Sequence, residues 1–145
     1  FSDGFPTSSG RAKLVPAGIV PPAELPDDEY PLILSTGRLL EHWHTGAMTR
    51  RSNTLNSLEE IPFASLHPKQ LENLALSAGD EATFTTRRGT IKTHVRADKE
   101  VPEGMVFIPF CFHEAAANVL TTPQLDPFGK IPEFKFCAVK VETTA

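Results

Sequence analysis

Cysteine is scarce. Cys111 and Cys137 are the only two in 145 residues, each inside an apolar run and neither in a C-x-x-C or other ligand spacing, so a cysteine-built metal site is excluded and both are expected as reduced core thiols. Positive charge is not in excess either: 14 Lys and Arg stand against 18 Asp and Glu, for a net charge of −4. That balance argues against a general nucleic-acid binder or a basic membrane-surface protein, and any anion site must be local. No apolar run approaches the ~20 residues of a membrane span. No internal repeat or low-complexity tract is present, and Phe1 follows neither an initiator Met nor a signal-like apolar run. The expectation is a piece of a longer, cytoplasmic chain.

The familiar catalytic signatures are missing as well. There is no G-x-S-x-G, no G-x-x-x-x-G-K-[ST] and no G-x-G-x-x-G, hence no nucleophile elbow, Walker cradle or Rossmann fingerprint. "HEAAA" at His113 has Ala117 where H-E-x-x-H needs its second imidazole. His42 and His44 are spaced to share one face of a strand, but no nearby Cys, Asp or third His completes a ligand set. Glu59 and Glu60, like Asp27 to Glu29, read as solvated surface runs, and Arg87 and Arg88 as a pair that keeps a hairpin tip soluble.

What is present is an ordinary globular composition, 40% apolar and 22% charged, in a length that suits one domain able to bury roughly two-thirds of its unfolded surface. Thirteen prolines imply long, pinned connections. Residues 1–29, rich in Pro, Gly, Ser and Asp, read as an arm or interdomain linker lying on a surface, with a domain over 30–145. "YPLILST" (Tyr30 to Thr36) reads as a buried strand. "HPKQLENLALSAGD" gives a helix with His67 as N-cap, Pro68 at its first position, Leu71, Leu74 and Ala75 on one face, and a stop at Gly79. "EATFTTRRGTIKTHV" gives a hairpin turning at Arg87, Arg88 and Gly89, with Phe84, Ile91 and Val95 inward. "GMVFIPF" and "FCAVKVE" are two more strands, and the segment between them holds at most one short helix. Helices of crossover length are lacking, so a small, mainly β barrel fits better than a parallel α/β sheet.

"TGRLLEHWHTGAMT" (Thr36 to Thr49) is too rich in hydrogen-bonding groups for a simple turn. Within "YPLILSTGRLLEHWHTGAMTRRS" it resembles the C-terminal, molybdopterin-dinucleotide-binding domain of the bis-molybdopterin oxidoreductases, closest to the formate dehydrogenase large subunit. Three further segments are similar to that family in order and spacing: "LHPKQLENLALSAGDEATFTTRRGTI", "GMVFIPFCFHEAAANVLTT" and "IPEFKFCAVKVE". Together they cover about Tyr30 to Glu142. Leu76-Ser77-Ala78 departs from the Leu-Gly-Ile that relatives often carry, in a turn away from the cofactor stretches.

The resemblance implies a six-stranded double-psi β-barrel with a few short helices and long ordered loops. It implies a bis-molybdopterin guanine dinucleotide with Mo or W, held also by other domains of a large subunit, with an iron–sulfur cluster only in the parent enzyme and electron-transfer subunits as further partners. The metal ligand and the catalytic groups would lie upstream, so no catalytic or metal residue is nominated and the segment alone is expected to be inactive. The cofactor-binding residues it implies are Thr36, Gly37, Arg38, Leu39, His42, His44, Thr45, Met48 and Thr49 in the opening stretch, with Trp43 as an apolar wall. Phe110, Asn118, Phe134 and Lys135 join them from the later motifs. Hydroxyls, neutral imidazoles and a forked guanidinium suit a pyrophosphate and heterocycle edges, and Gly37 would let the backbone come close. Structural roles compete: Arg38 as an ion-pair partner, Asn118 as a turn cap, Lys135 as a solvated strand end, Phe110 and Phe134 as core aromatics. Two other functions stand beside formate oxidation. One is the same domain of an assimilatory nitrate reductase. The other is a non-enzymatic double-psi barrel for protein recognition, as in the N-terminal domains of some AAA ATPases. A self-processing decarboxylase of similar fold would need a Gly-Ser bond, which is absent.

Overall fold

The computed structural model describes residues Phe1–Thr144. Six strands close a barrel: β1 (Leu32–Gly37), β2 (Phe63–Leu66), β3 (Glu81–Thr85), β4 (Thr90–Ala97), β5 (Met105–Pro109) and β6 (Cys137–Thr143), in the spatial order β1-β5-β2-β4-β3-β6. Two neighbours, β1 with β5 and β2 with β4, run parallel, and the other pairs are antiparallel. Each parallel pair needs a connection that travels the length of the barrel, which is why so much of the chain is loop.

Alternation explains four of the strands. In β4, Ile91, Thr93 and Val95 point inward between exposed neighbours, and Phe84 on β3 is fully buried against Ile91 across the hairpin. The core joins Leu34, Leu66, Phe84, Val95, Val106, Ile108, Leu120 and Val139, with a satellite of Phe63, Cys111 and Phe112 capped by Leu39. Both cysteines are free and buried, as their apolar settings predict.

β2 (Phe63–Leu66) is an addition to the strands expected from the sequence. All four residues are buried, so a strand wedged between β4 and β5 carries no alternation for a sequence to display. The polar run before it contains a 3-10 turn (Thr49–Arg51) and a one-turn helix, α1 (Asn53–Asn56). The His67 side chain caps helix α2 (Pro68–Asn73) as expected, but the helix ends well before Gly79. Ala75 adopts a left-handed φ of 54° and is exposed. Leu76 donates its N–H to the Leu71 carbonyl and Ala75 donates to Glu72, the paired bonds of a Schellman ending. Ala75 therefore terminates the helix rather than lengthening its apolar face.

Candidate functional site

The strand directions assemble one end of the barrel. Because β1 and β5 are parallel, with Gly37 opposite Pro109, both strands release their chains at the same end. Phe110 continues this pairing by donating its N–H to the Gly37 carbonyl at 3.1 Å, so Arg38 and Phe110 emerge side by side. β6 is antiparallel to β1, with Leu34 opposite Cys137, which brings the residues preceding β6 to that end too. There the Thr36 hydroxyl donates to the Phe134 carbonyl at 2.8 Å.

The loop leaving β1 is fixed from within. His42 is 1% exposed, and its Nε2 lies 2.7 Å from the Glu59 carbonyl. A carbonyl only accepts, so Nε2 carries the proton and Nδ1 accepts from the Thr49 hydroxyl at 3.3 Å. Thr49 Oγ1 in turn accepts the Trp43 N–H at 3.0 Å. Held between these bonds, His44 takes a left-handed φ of 51° and its ring packs on Phe110 at 5.2 Å between centroids. Uncommon backbone geometry that the surroundings enforce is a mark of functional loops.

The result is an open cleft of about 580 Å³. Arg38, His44, Thr45, Phe110, Asn118, Phe134 and Lys135 all line it. Thr121 and Pro132 also line it. Nothing in their residue types set them apart beforehand, although Thr121 lies in the matched Ala-Asn-x-Leu-Thr stretch. Two cations, an amide and hydroxyls converge with two half-buried phenyl rings, and no carboxylate lies among the lining residues. On a chain of net charge −4 this concentrates positive charge and flat apolar surface locally, a chemistry that could hold an anion attached to a ring.

The remaining nominated residues lie outside the cleft lining. Thr36 and Gly37 are buried at the end of β1. A Cβ on Gly37 would run into the Phe107 ring, so this glycine serves strand packing. Leu39 packs on the Phe63–Phe112 cluster. His42 and Thr49 hold the loop as described. Met48 and Trp43 face outward, 69% and 70% exposed.

A second cleft of about 510 Å³ shares Thr45 with the first and contains Arg50, Asn56, Cys111 and Glu114. Arg50 forks onto both Glu114 oxygens at 2.6 and 2.9 Å while its guanidinium lies 4.9 Å from the Phe112 ring centre. That charged hydrogen bond holds the Glu114 carboxyl down at about 2. Burial pushes the Cys111 thiol up to about 11. The Arg87 and Arg88 pair does more than keep a turn soluble. Arg87 bonds Asp27, and Arg88 bonds Glu24.

A closed six-stranded barrel with these parallel and antiparallel pairings, few helices and a cleft where strand ends converge is a double-psi β-barrel domain. Residues 32–138 match the family model described as Molydopterin dinucleotide binding domain, and the chain belongs to that family. It is 46% identical over 142 residues, 97% of its length, to the F420-dependent formate dehydrogenase subunit alpha of Methanocaldococcus jannaschii, covering 21% of that protein. It is 40% identical over 136 residues to the F420-dependent formate dehydrogenase 1 subunit alpha of Methanococcus maripaludis, covering 94% of this chain and 20% of the relative. The chain thus spans about one fifth of these relatives. Among solved structures, acetylene hydratase from Pelobacter acetylenicus superposes with a TM-score of 0.73 at 24% identity, over 80% of this chain and 19% of that one. That likeness supports the fold.

Proposed function

We propose that this domain caps the bis-molybdopterin guanine dinucleotide cofactor of a formate dehydrogenase, with the cleft between Arg38 and Lys135 holding a pyrophosphate and its adjoining ring. The observation that carries the reading is the carboxylate-free cationic cleft on an acidic chain. Its donor set fits the group. Arg38 and Lys135 supply charge for phosphate oxygens, Asn118 and the threonines supply directional bonds to heterocycle edges, and Phe110 and Phe134 supply flat apolar walls. When bound, the Mo or W centre supplies the redox chemistry that takes formate to carbon dioxide. This domain's residues bind and orient the nucleotide end, and keep water from it. His42 and Thr49 act one layer back, setting the loop that carries His44 and Thr45. Residues 1–29 serve as the linker to the rest of a large subunit that works in the cytoplasm and passes electrons through iron–sulfur centres to partner subunits.

Identity with two formate dehydrogenase alpha subunits at 40% and above favours formate over nitrate. The deciding experiment uses the parent enzyme. Purified wild type should reduce an artificial acceptor with formate and should not oxidise a reduced dye with nitrate. Arg38→Ala should retain pterin more weakly by ~1.5–3 kcal/mol, the worth of one charged hydrogen bond. Pterin released per polypeptide, measured by fluorescence after oxidation, reports it. Unchanged pterin content and retention in Arg38→Ala would remove this residue from the site.

A further inference from the structure

Two residues of the leading segment, Ala23 and Glu24, bond to residues that adjoin the cleft lining. One wall carries Asn118 and Thr121 and is made by a three-residue 3-10 turn, Ala117–Val119, that has no side-chain cap. Such a turn has little stability of its own. What holds it is the Leu120 carbonyl, which accepts from Thr86 Oγ1 at 2.9 Å, from Arg88 Nε at 3.2 Å and from Arg88 Nη2 at 3.1 Å, with Cys137 Sγ at 3.6 Å. The hairpin tip that delivers Arg88 presses on the same turn, since a Cβ on Gly89 would lie 2.5 Å from Val119 Cγ1.

The other side of the Arg88 guanidinium is occupied by Glu24. Nη2 donates to Oε1 at 3.2 Å and Nη1 donates to Oε2. Glu24 Oε1 also accepts the Ala138 N–H on β6 at 2.7 Å, and Arg87 Nη1 stands 3.4 Å away. One residue earlier, the Ala23 N–H donates to the Glu133 carboxylate, at 3.1 Å to Oε2, and Glu133 lies between the lining residues Pro132 and Phe134. A guanidinium bonded on two edges transmits position more rigidly than a point charge.

We propose that Arg88 is a positioning residue for the cleft: bridging Glu24 to the Leu120 carbonyl, it makes docking of the leading segment set where Asn118 and Thr121 stand. This rests on the cleft being the nucleotide site. The coupling is local, through one side chain and one carbonyl, and it makes the leading segment part of the site without touching the ligand.

The test uses the 145-residue chain and two variants, Arg88→Ala and the milder Glu24→Gln, which leaves Arg88 in place. Hydrogen exchange at the Val119 and Leu120 amides, without ligand, should quicken about tenfold in both variants, while amides of the β2–β4 ladder stay as protected as in wild type. Affinity for GDP, measured by calorimetry, should fall about five- to tenfold in Arg88→Ala. In an Asn118→Ala background the same change should cost distinctly less, about two- to threefold, because one of the two residues through which Arg88 acts is gone. A purely structural role would give the same loss in both backgrounds. Unaltered exchange at Val119 and Leu120 in both variants overturns the proposal, as does full additivity with Asn118→Ala. Faster exchange in a chain whose wild type binds no GDP upholds the positioning and counts against the nucleotide reading instead.

Discussion

His42 is bonded through Nε2 to the Glu59 carbonyl at 2.7 Å, linking the loop after β1 to the segment that leads into β2. A buried imidazole with both nitrogens satisfied is a strut, and it stands next but one to the cleft residue His44. His42→Ala removes two part-buried hydrogen bonds and leaves a void beside Phe112, whose ring lies 6.0 Å from the imidazole. The expected loss is about 3 kcal/mol in urea unfolding. A loss below about 1 kcal/mol would show the loop holding without it.

Ala75 offers the opposite sign. With a left-handed φ of 54°, it carries a Cβ at the helix-ending position that glycine usually fills. Relief of that strain, about 1–2 kcal/mol, outweighs the added freedom of glycine in the unfolded chain, about 0.4–1 kcal/mol. Ala75→Gly should therefore raise stability by about 0.5–1 kcal/mol, read as a higher denaturation midpoint with unchanged slope.

Acid should act through Glu114. Its carboxyl falls from the ordinary 4.5 to about 2 because Arg50 hydrogen-bonds its charged form. A depressed folded value means the stabilisation is complete above about pH 5 and disappears as pH drops toward 2. The Glu114 side chain is 44% exposed, so solvent screening reduces the pair to about 1 kcal/mol. The stability gap between wild type and Glu114→Gln should narrow by most of that amount between pH 6 and pH 2. A gap that stays constant with pH would mean the pair contributes nothing electrostatic.

The thiols should be inert. Burial raises Cys111 to about 11 and shifts Cys137 in the same direction. At pH 8 alkylation of Cys111 in the folded chain should run at least about a hundredfold slower than in urea, from thiolate fraction alone. Equal rates would show that the satellite cluster of Phe63, Cys111 and Phe112 opens readily.

Much of the barrel was legible along the chain because period-two alternation is a local signal. Phe84, Ile91 and Val95, and Val139 with Val141, announce an inward face with no knowledge of the partner strand. Phe63–Leu66 gives no such signal, being four residues long and buried throughout. The start of α2 was readable from His67 and Pro68, since capping chemistry is local. Its end was not, because Ala75 occupies a position where glycine is the usual marker.

The cleft divides in the same way. Arg38, His44, Thr45, Phe110, Asn118, Phe134 and Lys135 stood out through three of the four recognisable stretches, and their types already suited an anion joined to a ring. Which of the opening stretch's polar groups face the cleft was a tertiary matter. His42 turned inward because the Glu59 carbonyl, seventeen residues on, needed a donor. Arg88 found its partner Glu24 sixty-four residues away. By itself the order of residues determined strand faces, the helix cap and the inventory of the cleft, all set by neighbours within a few positions. Barrel closure decided which of those groups meet, because parallel pairing of β1 with β5 and the bonds to the Leu120 carbonyl join segments that no local preference brings together.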